Sequence, residues 1–289
     1  MHRRSGFVAA LAAAVTLAAC TTATTTARSA PRPHGKVTVK ASPTPAPSPP
    51  PPPPRAAVTH VYASDGSRIT VAVFHGSVRY VLHNGSEDPG GAAASLVSAG
   101  PSVTGNERHL LLAAFNGGFK LSAGDGGYQQ EGHVISTLRR GYASLIIYRS
   151  GAARIAVWPS GSSGAYSVRQ NLPPLVLHGK PTSAAYDWPV WGATLGGGSH
   201  VARSALGEDA AGNLIYVGSM STVPIDLAKA LVRFGARTAM ELDINPEWVQ
   251  LDVAAQPGGR LHAAVYEQQR PADQYLTGWS RDFITVLAG

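Results

Sequence analysis

The chain carries two acidic residues two positions apart, Glu241 and Asp243, in the short apolar run Thr238–Asp243. Residues two apart on a strand project from one face, with Cα atoms about 6.5 Å apart. Two carboxylates on one face need cationic partners or a wet cleft. The pair could therefore supply a catalytic acid, base or nucleophile, or it could belong to a structural salt bridge.

Two further features could complete such a site. Arg203, in a predicted hairpin shortly before this run, is the candidate cationic partner. Asn116-Gly117-Gly118 follows the buried apolar run His109–Phe115. Adjacent glycines let backbone N–H groups converge on an anion, although a hairpin turn is the plainer interpretation.

Other common chemistries lack support in the sequence. The single cysteine, Cys20, excludes intrachain disulfides and multi-cysteine metal clusters. Neither a Gly-x-Ser-x-Gly nor a Walker A motif occurs. We therefore expect no metal and no cofactor. No metal-ligand spacing relates the histidines of the folded region, which are His75, His83, His133, His178, His200 and His262.

Short alternating runs separated by turn residues predict a protein rich in strands. The first three runs predict a meander, and residues 84–108 are polar and Gly-rich, as in a loop. The predicted strands are Val58–Ala63, Arg68–Phe74, Val78–Leu82, His109–Phe115, His133–Leu138, Ala143–Tyr148, Ala153–Trp158, Leu175–Leu177, Ala202–Leu206, Leu214–Gly218, Trp248–Val253, Arg260–Tyr266 and Phe283–Leu287.

One helix is predicted, between Thr222 as N-cap and Gly235 as terminator, with Pro224 in its first turn. It lies between the strands Leu214–Gly218 and Thr238–Asp243. Strand, helix and strand over about thirty residues predict a βαβ crossover and hence a parallel pair. We therefore expect an α+β fold with a mixed β-sheet, in which Asp243 lies where ligands of open α/β sheets collect.

The first 56 residues indicate an export signal and a tether. Arg3 and Arg4 precede the apolar run Phe7–Ala19, which is too short to span a membrane but is typical of a signal peptide. Leu17-Ala18-Ala19-Cys20 resembles the lipobox of bacterial lipoproteins, so we expect residues 1–19 to be removed and Cys20 to be lipidated. Residues 20–56, which include six consecutive prolines, predict a disordered linker. A domain then occupies residues 57–289.

The charge distribution argues against nucleic-acid binding. The net charge of +7 comes from seven basic residues before residue 57, where no acidic residue occurs. Residues 57–289 carry 17 basic and 17 acidic residues. A dedicated nucleic-acid binder would need a basic face on its folded part.

Four motifs, in order, resemble the phosphodiester glycosidase family. Ala114–Phe119 resembles the strand end NGGFF, and Leu175–Lys180 is similar to the hairpin LV-x-x-G-K. Arg203–Gly207 resembles the strand RTAIG, and residues 222–243 resemble L-x-E-L-A…GA-x-x-A-x-x-LD. Together they span roughly residues 109–250. Each motif is modest, but the ordered set is fairly specific.

The resemblance implies hydrolysis of the bond between an anomeric carbon and a phosphate. Asp243 aligns with the family's final Asp and is the first choice for the catalytic carboxylate, with Glu241 or Glu131 second. Arg203 would receive the phosphate. Groups that would orient sugar or phosphate oxygens are Asn116, Gly117 and Gly118.

One segment departs from the family pattern. The family continues beyond its Asp with glycines and a serine, whereas this chain continues Ile244-Asn245-Pro246-Glu247-Trp248. Asn245 and Trp248 could supply an amide and a sugar-stacking ring in place of backbone donors. A non-catalytic glycan-binding lipoprotein of the cell envelope is therefore the alternative. Either protein is expected to be a monomer, anchored through Cys20 on the outer side of the membrane, with a sugar phosphate or cell-wall glycan as ligand.

Overall fold

A computed structural model of the chain describes residues 55–192 and 197–289. All of them belong to one compact unit, Pro51–Gly289. The predicted signal peptide 1–19, the lipidation site Cys20 and all but the last two residues of the linker 20–56 lie outside the described residues. No helix in the described part of the chain is both long and apolar enough to cross a membrane.

Strands dominate the structure, and helices are few and short. The strands are β1 (Ala56–Tyr62), β2 (Arg68–Phe74), β3 (Val78–His83), β4 (Leu111–Asn116), β5 (Tyr128–Gln130), β6 (His133–Ser136), β7 (Ala143–Tyr148), β8 (Ala153–Val157), β9 (Ala165–Gln170), β10 (Val176–Leu177), β11 (Lys180–Pro181), β12 (Val201–Glu208), β13 (Leu214–Thr222), β14 (Thr238–Glu241), β15 (Leu251–Ala254), β16 (Leu261–Ala263) and β17 (Phe283–Ala288). The helices are α1 (Gly91–Ala94), α2 (Gly105–Leu110), α3 (Pro224–Arg233) and α4 (Gln274–Thr277), with three 3₁₀ turns at Leu121–Ala123, Ser183–Tyr186 and Trp188–Trp191.

The strands form three antiparallel sheets. The largest has the order β1-β2-β13-β12-β14-β10-β11, the second β16-β15-β4-β17-β3, and the third β6-β5-β9-β7-β8. A cluster of buried side chains from all three sheets forms the main core, with Phe74, Phe115, Leu145 and Tyr216 among its members. A second cluster packs the other face of the largest sheet against α3.

The expected α+β fold with a mixed sheet and a βαβ crossover is wrong, because every ladder between the described strands is antiparallel. α3 does connect β13 to β14, but β12 lies between those two strands and pairs with both. Alternating apolar residues indicate where strands occur along the chain, and they do not indicate which strand lies between two others.

The predicted helix is present, with boundaries close to those expected. α3 begins at Pro224, and its N-cap is Val223, one residue after the predicted Thr222, with no side-chain hydrogen bond capping the helix. Gly235 has a φ of 95° just beyond its end, where the terminator was predicted. Leu227 and Leu231 are fully buried against the sheet. This helix covers the large sheet and fixes β14, the strand that leads to Asp243.

Candidate active site

A cavity of about 1040 Å³ opens beyond the carboxyl end of β14. Asp243 and the loop 244–248 form one part of its wall, and Phe119 and Lys120 form another. The remaining wall residues are Ala123, Asp125, Gly192, Val201, Ala202, Met220, Gln269 and Arg281. This cavity contains three of the residues singled out in the sequence: Asp243, Asn245 and Trp248.

Asp243 is a nearly buried carboxylate on the cavity wall, with 5% of its surface exposed. Its Oδ1 accepts hydrogen bonds from the amides of Ile244 at 2.8 Å and Asn245 at 2.9 Å. Its Oδ2 accepts one from Arg281 Nη2 at 3.1 Å. Burial raises the pKa of Asp243 to about 6, although the Arg281 guanidinium and the two amides oppose that rise. The group can thus change its ionisation near neutral pH.

Arg281 is the cation beside Asp243, and it was not identified from the sequence. Its Nη2 also donates to the carbonyl of Gly118 at 2.9 Å, and its Nε lies 3.3 Å from Oδ2 of Asp88. Its guanidinium carbon lies 5.2 Å from the centre of the Trp248 ring. Two carboxylates and one carbonyl therefore hold Arg281 at the cavity wall.

The strand pairing explains why Arg281 and Asp282 meet the Asn116-Gly117-Gly118 segment. β17 pairs antiparallel with β4, and Phe283 lies opposite Asn116. The residues that precede β17 therefore lie beside those that follow β4. In the sequence, Arg281 and Asp282 are recognisable as two charged residues directly before a predicted apolar strand. Their place in the site follows only from the pairing of β17 with β4.

Gly117 and Gly118 let the backbone lie close to the buried ion pair of Arg169 and Asp282, which is separate from the pair of Arg281 and Asp243. Arg169 Nε donates to Asp282 Oδ2 at 2.7 Å, and both side chains are almost fully buried. A Cβ on Gly117 would collide with the Asp282 carboxylate, and one on Gly118 would lie 3.0 Å from the guanidinium carbon of Arg169. The Gly117 N–H donates to the Asp282 carbonyl at 3.0 Å. The glycines thus serve packing here, and neither lines the cavity.

Asn116 is buried and belongs to an internal network. Its Nδ2 donates to Ser204 Oγ at 2.9 Å, and its Oδ1 accepts from Tyr216 Oη at 3.0 Å. The Gln250 amide also donates to Oδ1, at 3.2 Å. With these bonds made inside the protein, Asn116 supports the ends of β4 and β12 and does not line the cavity.

Arg203 and Glu241 form a fully buried pair that the sequence correctly placed together. Arg203 Nη1 donates to Glu241 Oε1 at 2.8 Å and to the carbonyl of Trp191 at 3.0 Å. Burial raises the pKa of Glu241, and the Arg203 guanidinium opposes that rise. Neither side chain is exposed and neither lines the cavity. The structure therefore does not bring Arg203 to the position where it would receive a phosphate.

Glu131 lies apart from this site. Its carboxylate accepts hydrogen bonds from the amides of Ser98 at 2.9 Å and Ala99 at 2.9 Å. Partial burial opposes the effect, but these amide donors lower the pKa of Glu131. It lines a smaller cavity of about 320 Å³, to which neither Asp243 nor Arg281 contributes. The contacts of Glu131 are those of a residue that holds a loop.

Every backbone N–H of the loop after Asp243, residues 244–249, already donates a hydrogen bond within the protein. The amides of Ile244 and Asn245 bond to Asp243, and Pro246 has no N–H. The Glu247 amide donates to Asn245 Oδ1 at 2.9 Å, and those of Trp248 and Val249 donate to the Asn245 carbonyl at 2.8 and 3.0 Å. A ligand must therefore be recognised at this loop by side chains, among them Asn245 and the half-buried Trp248 ring.

Chemically, the cavity offers an ionisable carboxylate, a fixed guanidinium and an indole within one wall. Such a wall can bind a sugar ring and stabilise positive charge at an anomeric carbon. Within residues 55–192 and 197–289, no three His, Cys, Asp or Glu side chains are grouped so that they could hold a metal ion.

Comparisons with known proteins find similarity in structure only. No family model and no curated protein matches the chain. The chain is similar to the zebrafish N-acetylglucosamine-1-phosphodiester alpha-N-acetylglucosaminidase catalytic domain, which is auto-inhibited by its pro-peptide. The TM-score is 0.49 and the identity 14%, over 81% of this chain and 82% of that one. A hypothetical protein from Synechocystis gives a TM-score of 0.49 at 12% identity, over 81% of this chain and 62% of that protein. These similarities are distant and assign no activity to this chain.

Proposed function

We propose that this protein hydrolyses glycosyl phosphodiesters, cleaving the bond between the anomeric carbon and the phosphate oxygen. The observation that carries the proposal is the Asp243 carboxylate on the cavity wall, 3.1 Å from Arg281 and with its pKa raised to about 6. The motif resemblance, which ends on the same residue, supports it independently.

The reaction needs few protein groups. The departing phosphate takes the electron pair of the broken bond and leaves as a stable anion, so a strong general acid is less necessary than in ordinary glycosidases. Asp243 in its ionised form would stabilise the cationic anomeric carbon, attack it, or accept a proton from the attacking water. Arg281 keeps that carboxylate ionised and in place, and the Trp248 ring offers a surface for the sugar.

The test is a mass-spectrometric screen of the mature protein against sugar 1-phosphodiesters and teichoic-acid-type wall polymers. A substrate should release free sugar and a phosphomonoester. Asp243→Asn should lower turnover by about a hundredfold or more, equivalent to about 3 kcal/mol of barrier. The control is Asp209→Asn, in the turn between β12 and β13, which should keep wild-type turnover. Undiminished turnover in Asp243→Asn would remove Asp243 from the reaction.

A glycan-binding protein without turnover is the second candidate, and one observation favours it. Three donors already engage the two Asp243 oxygens, as in a carboxylate whose task is to hold a loop. The same screen separates the two functions. Retention of a glycan without any release of sugar or phosphate would establish the binder.

We also propose that Cys20 anchors the protein to the outer face of the membrane. Cys20 is the single thiol of the chain and directly follows Leu17-Ala18-Ala19. Two acyl chains on such a residue suffice for stable anchoring. Cys20→Ser should move the protein from the membrane fraction to the soluble fraction. A Ser variant that stays in the membrane fraction after a high-salt wash would disprove the anchor.

A further inference from the structure

Lys120 is an exposed cation on the wall of the main cavity. Its ammonium forms no salt bridge with any residue in the described ranges. The backbone around it is fixed, because the Phe119 amide donates to Asn171 Oδ1 at 3.2 Å and the Leu121 amide to Asp88 Oδ2 at 3.2 Å. The Lys120 carbonyl accepts from the Ala123 amide at 2.9 Å. A fixed backbone thus holds an exposed, long cationic residue on the cavity wall.

The nearby arginines already form ion pairs with carboxylates of the protein. Arg281, the other cation on this wall, is shared by Asp243 and Asp88 and also donates to a carbonyl. Arg203 is sealed in its pair with Glu241. Arg270 bonds to Glu247, with Nη2 2.9 Å from Oε2. A phosphate that approached any of these would have to compete with a carboxylate that is already in place.

Backbone groups of the adjoining loop cannot meet an anion either. Every N–H from Asp243 to Val249 already donates within the protein, and Pro246 has none. The acidic wall residues Asp125 and Glu247 would repel a phosphate placed beside them. Among the described residues that line the cavity, Lys120 is therefore the cation that has no carboxylate partner to displace.

We propose that Lys120 binds the phosphate of the substrate and so selects glycosyl phosphodiesters over neutral glycosides of the same sugar. This inference rests on the proposed function. It differs from what the resemblance implied, because the motif NGGFF has phenylalanine where this chain has Lys120. A compact ammonium on a flexible stem can follow the phosphate as the bond to the sugar breaks.

The experiment compares the wild type with Lys120→Gln, Lys120→Arg and a matched control, Lys180→Gln. Lys180 is an exposed lysine on β11 that does not line the cavity. Calorimetry with inorganic phosphate as the probe measures anion binding in each protein. Lys120→Gln should bind phosphate about tenfold more weakly or worse, a loss of about 1.4 kcal/mol. Lys120→Arg and Lys180→Gln should bind nearly as the wild type does.

Kinetics form the second arm of the test. In Lys120→Gln, kcat/KM should fall for the phosphodiester found in the screen and stay unchanged for a neutral aryl glycoside of the same sugar. Equal phosphate binding by the wild type and Lys120→Gln, or no binding by either, would overturn the proposal. Lys120-dependent phosphate binding without hydrolysis of any phosphodiester would instead refute the proposed activity and leave the anion site standing.

Discussion

At the scale of single residues, the candidate site depends on a carboxylate that is costly to bury and is still kept ionisable. Removing Asp243 from water favours its protonated form, whereas Arg281 and two amides favour the charged form. The balance raises its pKa to about 6, above the usual value for Asp and below neutral pH. A small change in its surroundings would thus change its charge under physiological conditions.

This balance predicts the pH dependence of the reaction. If ionised Asp243 is required, kcat/KM should rise as the pH increases through about 6 and then level off. Arg281 lowers the pKa of Asp243, so Arg281→Gln should move the rising limb to higher pH. Steady-state kinetics measure both profiles, and circular dichroism confirms that the variant is folded. If kcat/KM of Arg281→Gln rises over the same pH range as that of the wild type, a group other than Asp243 controls the reaction.

At the scale of elements, the site forms where three strands end or begin together. β14 leads to Asp243, β4 leads to Gly117, and β17 is preceded by Arg281 and Asp282. The amide of Asp243 donates to the carbonyl of Gly117 at 3.1 Å, which joins the first two ends. The pairing of β17 with β4 adds the third.

The sequence predicted many of these strands and the one longer helix. Of the pair Asp243 and Arg281, it predicted Asp243 alone as a site residue. Alternation located strands such as β2 and β7 at their observed bounds. Pro224 in the first turn and Gly235 beyond the end located α3, whereas the predicted N-cap Thr222 lies one residue before the observed one.

Asp243 was selected because it follows a strand that was predicted to be parallel and because it aligns with the family's Asp, but that strand, β14, pairs antiparallel with both of its neighbours. Arg281 was missed because its relation to Asp243 spans 38 residues of sequence and exists only through strand pairing. Arg203 was expected to receive the phosphate, and the burial of its pair with Glu241 likewise depends on strand pairing that the sequence does not reveal.

Close packing between elements predicts the effect of a single methyl group. Gly117→Ala should place its Cβ against the Asp282 carboxylate and disturb the Arg169–Asp282 pair. We expect a loss of at least about 2 kcal/mol in the free energy of unfolding, as in other overpacked interiors. Gly100→Ala is the control, because its Cβ would meet only Asn84 Oδ1, at 4.0 Å. Chemical denaturation measures both variants, and equal stability of the two would contradict this account of Gly117.

At the scale of the whole molecule, packing three sheets around one core buries acidic groups whose charge opposes folding. Asp252, on β15, is fully buried and accepts hydrogen bonds from Gln250 Nε2 at 2.6 Å and Gln268 Nε2 at 2.7 Å. No arginine or lysine of the described residues forms a salt bridge with it. Burial raises the pKa of Asp252 to about 8, and the two amide donors oppose that rise only in part.

A raised pKa in the folded state makes stability fall as the pH rises. The unfolded chain releases the proton of Asp252 near pH 4, whereas the folded chain holds it until about pH 8. The stability that this group contributes is therefore complete below about pH 4 and is lost progressively up to about pH 8. We expect the free energy of unfolding of the wild type to fall by about 2 kcal/mol or more across this range from Asp252 alone.

Asp252→Asn tests this expectation because an amide cannot lose a proton in that range. Its Nδ2 can donate to Gln250 Oε1, which has no hydrogen-bond partner among the described residues, after a flip of the Gln250 amide. The variant should be more stable than the wild type at pH 8 and should show a flatter pH profile. Glu87→Gln, at an exposed loop residue, should keep the wild-type profile. Parallel profiles for Asp252→Asn and the wild type, measured by urea denaturation, would show that Asp252 titrates alike in the folded and unfolded chains.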